Sequence, residues 1–190
     1  EENPWRSYKD TATNLVIEVG ITEIGDSAFS GFTKLQKISL PKGLKLLGDN
    51  CFEKCSSLTS VDIPRRVTTW RDYCFKDCTS LTSVSIGRGL QEDTVAVGEN
   101  PFLGDKALES ITVEAGHPYL YVQDHALVCR SKYGWNTLVT YPEGLTDLSY
   151  CIPEGVDTVG DMAFAGNQSL QSLSMKSSVT RIEGRAFWNM

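Results

Sequence analysis

The chain has 190 residues, 41% of them apolar, and 24 acidic side chains against 18 Lys and Arg, giving a formal charge of −6. That composition fits one globular domain and excludes intrinsic disorder. No apolar run reaches the roughly 18 residues of a membrane-spanning helix, and a pI near 5.0 argues against nucleic acid, whose phosphates require a clustered cationic surface; neither membrane insertion nor a nucleic-acid partner is expected. The first residue is Glu1, with no charged and apolar leader before it, so a processed or trimmed piece whose signal peptide has been removed is expected.

Residues 1–14 lie outside the period that governs the rest, and Trp5 and Tyr8 are expected to cover the open end of the core as a terminal cap. The run LVIEV starts the first strand at about Leu15, with Ile17 in register with Leu40. GDSAF ends at Phe29, GDNCF at Phe52 and RDYCF at Phe75, 23 residues apart. GENPF ends at Phe102, 27 further on, and GDMAF and EGRAF end at Phe164 and Phe187, again 23 apart. Six residues after the first five of these rings stand Leu35, Leu58, Leu81, Leu108 and Leu170, each opening an L-x-x-h-x-h run such as LTSVDI or LTSVSI. So short an alternating run is a strand with one buried face, and its return at a period of roughly 20 to 29 residues is the leucine-rich-repeat signature.

After each strand the chain turns at Pro41, Pro64 or Gly87 and delivers two more core columns. The first holds Ile21, Leu44, Val67, Leu90, Val156 and Val179; the second holds Ile24, Leu47, Trp70, Val97, Val159 and Ile182. One repeat cannot close a core with so few apolar groups, but stacked neighbours can. Asp26, Asp49, Asp72 and Asp161 form a column just before the rings, where an acceptor is expected to cap a short helical turn. These features predict an α+β repeat solenoid: a right-handed leucine-rich-repeat superhelix over residues 15–113 and 149–190, with short helical or irregular convex segments.

The extra residues before Phe102 predict a surface bulge over Gln91 to Ala96. Between Val113 and Ile152 the period breaks, and YLYVQ, ALVCR and TLVTYP alternate around Asp124-His125 and SKYGWN. This predicts a β-hairpin inserted into one degenerate repeat (114–148), with its turn near Ser131 to Asn136, followed by a returning strand at Ser149 to Ile152. Counting six from Phe187 passes Met190, so the last repeat is expected to be incomplete.

The pattern in ITEIGDSAFSGFTKLQKISLP and VDTVGDMAFAGNQSLQSLSM resembles BspA-like leucine-rich repeat proteins, and HPYLYVQDHALVCRSKYGWNTLVTYPEG resembles the hairpin module that interrupts such arrays. Departures are Phe32 and Met190 where Cys is usual, Cys51 and Cys74 where Ala is usual, and Trp70-Arg71 in place of Ile-Gly. The resemblance implies a secreted or surface-attached bacterial protein, with adhesion or host-protein binding, and no catalytic residues.

CFEKC at 51–55 and CFKDC at 74–78 raise the question of a zinc site. Cys51 and Cys74, however, share a column with Ala28, Ala163 and Ala186, and Cys55 and Cys78 share one with Phe32 and Asn167. Packed thiols are expected there, ahead of a disulfide or a metal; Cys129 and Cys151 have no repeat partner. The only histidines, His117 and His125, flank the hairpin as loop residues, and no hydrolase, phosphate-loop or zinc-protease motif is present. No enzyme activity, cofactor or metal is expected. Three surfaces remain. The outward strand positions (Lys37, Ser39, Ser60, Asp62, Ser83, Ser85, Ser110, Thr112, Ser172, Ser174) form a hydroxyl-rich face, and Lys42, Arg65 and Arg88, with Arg66 nearby, form a basic rib. The hairpin is the aromatic one: Tyr119, Tyr121, Tyr133 and Trp135 are the candidate contact residues, with Tyr141, Tyr150 and, as an alternative to contact, Tyr121 assigned to covering the core. The expected function is an extracellular module binding a host or matrix protein at the bacterial surface. Alternatives are a passive spacer displaying another domain, and glycan binding through the hairpin aromatics. Nothing in the sequence sets an oligomeric state.

Overall fold

The computed structural model describes residues 4–89 and 95–190; Leu90 and most of the bulge expected over Gln91 to Ala96 lie outside them. Sixteen short strands follow in chain order. They are β1 (Asn14–Val16), β2 (Glu23–Ile24), β3 (Lys37–Ser39), β4 (Leu46–Leu47), β5 (Ser60–Ile63) and β6 (Thr69–Trp70). Next come β7 (Ser83–Ile86), β8 (Ala96–Val97), β9 (Ser110–Val113), β10 (Leu120–Gln123), β11 (Ala126–Arg130) and β12 (Asn136–Thr140). The last are β13 (Ser149–Ile152), β14 (Thr158–Val159), β15 (Ser172–Met175) and β16 (Arg181–Ile182). They build a leucine-rich-repeat β-solenoid of about seven turns.

The L-x-x-h-x-h runs pair in parallel at equivalent repeat positions, as in Val61↔Val84↔Ile111. Along each run the apolar residues turn inward and the Ser, Thr or Asp residues outward; in β5, Val61 and Ile63 are buried while Ser60 and Asp62 are exposed. The second core column forms its own ladder of two-residue strands, β2-β4-β6-β8, resumed as β14-β16 on the edge of the five-residue β12.

The convex side departs from the expected α+β architecture. Among the described residues the only helix is the single 3₁₀ turn at Arg6–Tyr8. Each convex segment is built from turns with residues at positive φ: Ser27, Asn50, Tyr73 and Met162 in one column, and Gly31, Lys54, Asp77, Gly104, Gly166 and Asn189 in another. A left-handed residue ends any helical run and aims backbone N–H groups along the solenoid axis. Ser27, Phe29 and Gly31 donate to the carbonyls of Asp49, Cys51 and Glu53 in the next turn at 2.8, 2.8 and 2.6 Å. The aspartates therefore cap no helix. Asp26 Oδ1 accepts the Asp49 N–H at 2.9 Å, Asp49 that of Asp72 at 2.9 Å, and Asp72 that of Glu99 at 2.8 Å; Asp161 accepts from Arg185 at 2.9 Å.

The Phe column forms two stacks instead of one. Phe29, Phe52, Phe75 and Phe102 stack with centroids 5.2–5.9 Å apart. The second run is Tyr141, Phe164 and Phe187, at 5.3 and 5.5 Å. Tyr141 lies 23 residues before Phe164 and its N–H donates to Ala163 O at 2.8 Å, as Phe52 donates to Cys74 O, so it is the missing ring of the inserted turn. Phe187 is only half-buried. At the N-terminus Trp5 stacks on Phe29 at 5.9 Å and its indole N–H donates to Ala28 O at 3.2 Å, replacing both the ring and the donor of a preceding turn. Tyr8, 62% exposed, does not share in this cap.

The thiols of Cys55 and Cys78 are fully buried and donate to Phe29 O and Phe52 O, the carbonyls of earlier turns, at 3.4 and 3.2 Å. All six cysteines are unbridged. A solenoid that depends on stacked rings should be far more sensitive inside the stack than at its end. Phe52→Ala is expected to cost about 3–5 kcal/mol in urea unfolding, and Phe187→Ala less than about half of that, because less area leaves water.

Candidate functional site

The inserted segment is a three-stranded antiparallel meander, β10-β11-β12, with two turns where one hairpin turn was expected. The first turn is Asp124-His125, whose φ values of 45° and 72° are those of a two-residue type I′ turn. The third strand also pairs in parallel with β14 through Thr137↔Thr158 and Leu138↔Val159, which ties the meander into the solenoid. Its two faces bury different cores. Leu120, Val122, Leu127, Cys129 and Val139 pack on the first array, while Tyr121, Ala126, Val128 and Leu138 pack on the second. The meander is thus a partition between two hydrophobic cores.

This explains the histidines. His117 is half-buried at the start of the meander, and its Nδ1 accepts the N–H groups of Tyr119 and Leu120 at 3.1 and 2.8 Å. Burial lowers its pKa and favours the neutral form that this acceptor role needs. His125 is a turn residue. Burial pushes the Cys129 thiol up to about 11, which leaves it a poor nucleophile at neutral pH.

The four aromatic candidates divide into two pairs. Tyr119 and Tyr121 are half-buried; the Tyr121 ring packs on the second core and carries the Arg130 guanidinium 5.4 Å from its centroid. Tyr133 and Trp135 stand at the tip, 77% and 57% exposed. Ser131 organises this tip: its Oγ accepts the N–H groups of Tyr133 and Trp135 at 3.2 and 3.1 Å, and its own N–H donates to Trp135 O at 2.7 Å. Gly134, at φ +88°, supplies the left-handed residue that the turn requires. Lys132 lies 5.0 Å from the Tyr133 ring centroid. Lys42, Arg65, Arg66 and Arg88 are all exposed on the turns that follow β3, β5 and β7. The hydroxyl face lies on the strands beside them.

Two features were invisible to sequence reasoning. Arg185 joins the turns on either side of the meander, bonding Asp161 and, at 2.9 Å, Glu99, 86 residues away. Asp105 occupies the Cys55 and Cys78 column with no exposed surface. One of its oxygens accepts the Cys78 N–H at 2.7 Å; the other is buried without a hydrogen-bond partner. Burial raises its pKa well above the ordinary carboxyl value, the Cys78 N–H opposes this, and Glu143 and Asp77 add to the rise. Asn167, which opens the N-x-S glycosylation triplet Asn167-Gln168-Ser169, is buried, its Oδ1 receiving the N–H groups of Ser169 and Leu170 at 3.0 Å. Among the described residues no group of three or more His, Cys, Asp or Glu is arranged to hold a metal ion, and no helix is long and apolar enough to cross a membrane.

With this geometry in hand, comparison with known proteins decides the family. The BspA type leucine-rich repeat region matches residues 7–124 and 144–190 in six copies. The chain belongs to the BspA-type leucine-rich repeat family. No curated protein matches it. Among solved structures it is similar to a leucine-rich repeat protein from Eubacterium ventriosum (20% identity, TM-score 0.71), over 98% of this chain and 54% of that one. A leucine-rich cell surface protein from Faecalibacterium prausnitzii matches at 23% identity and TM-score 0.55, over 96% and 60% of the two chains. The pneumococcal vaccine antigen PcpA matches at 22% identity and TM-score 0.60, over 90% and 46%. At these identities the likeness establishes the fold, and the BspA-type chain spans about half the length of these neighbours. Neither the family nor the site geometry indicates a catalytic function.

Asp105 yields a pH test. A carboxyl whose folded pKa is raised contributes stability below its unfolded value, near 4, and that contribution is lost as pH rises through the folded value. Asp105→Asn keeps an acceptor for Cys78 but cannot ionise. Urea unfolding at pH 8 is expected to show the variant more stable than the parent by on the order of 1 to 3 kcal/mol, with the difference shrinking towards pH 4.

Proposed function

We propose that this BspA-type chain is a non-catalytic, extracellular protein-binding module whose contact site is the meander tip. The observation that carries the proposal is the pairing of exposure with rigidity. Tyr133 and Trp135 are the exposed rings of the meander, and Ser131 holds their backbone, while the central strand β11 packs on a core at each face. Tyr and Trp bring large apolar area and a polar tip with few rotamers to lose, the composition of interface hot spots. A surface location is supported by the family and by neighbours described as a cell surface protein and a vaccine antigen.

The spacer reading draws on the strand face, whose hydroxyl-rich residues give a protein partner little apolar area. A screen of host matrix proteins separates the two, because a spacer retains none. For a retained partner, the Tyr133→Ala, Trp135→Ala double variant is expected to weaken binding by on the order of 2 kcal/mol with an unchanged thermal midpoint. Equal losses of binding and stability would reduce both rings to packing residues.

A further inference from the structure

A second surface, remote from the tip in sequence and in chemistry, runs along the first array. Lys42, Arg65 and Arg88 occupy the same place in three successive turns, are exposed, and form no ion pair among the described residues. Neighbouring turns approach closely here: a Cβ built on Gly87 would lie 2.9 Å from Arg65 N, so a side chain is excluded at that position. The three backbone positions therefore recur at about one strand separation, ~4.8 Å. Arg88 in turn lies over the next turn, its Nε 3.2 Å from where a Gly116 Cβ would be.

Beside this rib is an open groove of about 610 Å³ that crosses four turns, bordered by Lys42, Arg65, Asp62, Ser85, Thr112 and Glu114. Asp62 accepts the Ser85 hydroxyl, and Glu114 accepts the Arg88 N–H at 2.9 Å. Cations thus stand together with hydrogen-bond acceptors and hydroxyls, over a floor that includes the buried Ile63 and Ile86 and contains no aromatic ring.

That mixture discriminates between ligands. A polyanion without hydroxyls meets Asp62 and Glu114 as repulsion alone. A peptide finds no deep apolar pocket for an anchor side chain. A neutral sugar lacks both a charge for the cations and a ring on which to stack. A sugar chain bearing carboxylates satisfies every group: successive carboxylates meet Lys42 and Arg65 in the groove and Arg88 on the adjoining turn, and its hydroxyls donate to Asp62 and Glu114 and exchange hydrogen bonds with Ser85 and Thr112. We infer that this groove binds a uronic-acid polysaccharide lying along the solenoid axis.

The test is calorimetric titration of the 190-residue chain with an oligogalacturonate, its methyl ester and a poly-glutamate peptide. The oligogalacturonate is expected to bind, and the ester and the peptide at least tenfold more weakly. Arg65→Gln with Arg88→Gln should weaken oligogalacturonate binding tenfold or more at an unchanged thermal midpoint, with Lys42→Gln as a milder variant should the double variant unfold. Asp62→Ala should also weaken binding, although it removes a negative charge. Lys34→Gln with Lys176→Gln, an equal loss of charge elsewhere, should leave it within twofold. The inference is overturned by equal binding of poly-glutamate, by strengthening in Asp62→Ala, by equal loss in the Lys34 and Lys176 variant, or by no uronate binding. Because the Tyr133 and Trp135 variant leaves this groove intact, loss of uronate binding there would move the glycan to the tip and overturn the groove assignment.

Discussion

Backbone N–H groups aimed along the solenoid axis are the constraint on which the rest of the molecule depends. In the first three convex segments alternate residues donate to the turn that follows, as Asn50, Phe52 and Lys54 do to Asp72, Cys74 and Lys76 at 3.0, 2.8 and 2.7 Å. These bonds set the rise from turn to turn, and whatever projects from them repeats at that rise. Rings stack, thiols reach back to a carbonyl of an earlier turn, and each aspartate takes an N–H from the next. A convex helix would return its N–H groups to its own turn and leave adjacent turns joined on that side by side chains alone. The left-handed residues are what divert those donors outward.

The meander interrupts this ladder without opening it to water. Because β11 is buried on both faces, the inserted strands supply each array with the surface that a neighbouring turn would otherwise supply. The turns on either side are then rejoined by polar contacts: Asn100 Nδ2 donates to Met162 O at 2.8 Å, and Arg185 reaches Glu99. The carboxylates held by Arg185 respond differently to their surroundings. Burial pushes both up; at Asp161 the hydrogen bonds from Arg185 outweigh it and hold the carboxyl low, whereas at Glu99 burial and the neighbouring acids prevail.

Periodicity made the core columns, the strand register and the returning strand at β13 legible, because each rests on the same residue types recurring at one spacing. The convex turns were not, although part of their signal was present: four of the six residues in the second left-handed column are Gly or Asn, and a fifth is Asp. An aspartate before a ring serves a helix cap and an inter-turn ladder equally well, so that column could not discriminate. Tyr141 escaped because a phenol replaced the expected phenyl, its hydroxyl paired with Asp147 at 2.6 Å. The tip aromatics were legible from the turn residues around them. Tyr121 was ambiguous, because a strand buried against two cores loses the alternation that separates inside from outside.

The two cores show why a partition matters for a binding tip. In a stacked array each turn contacts only its neighbours, so opening is local and can take one core without the other. Loosening of the second core, formed around Tyr141, Tyr150 and Phe164, acts on one face of the meander. Leu120, Leu127 and Val139 remain packed on Phe102 and its neighbours' core while that happens, so the strands beneath Tyr133 and Trp135 keep one buried face even when the other is exposed. A loop placed at the junction of two cores is in this way supported twice, a more secure mounting for a contact site than a loop on a terminal turn would have.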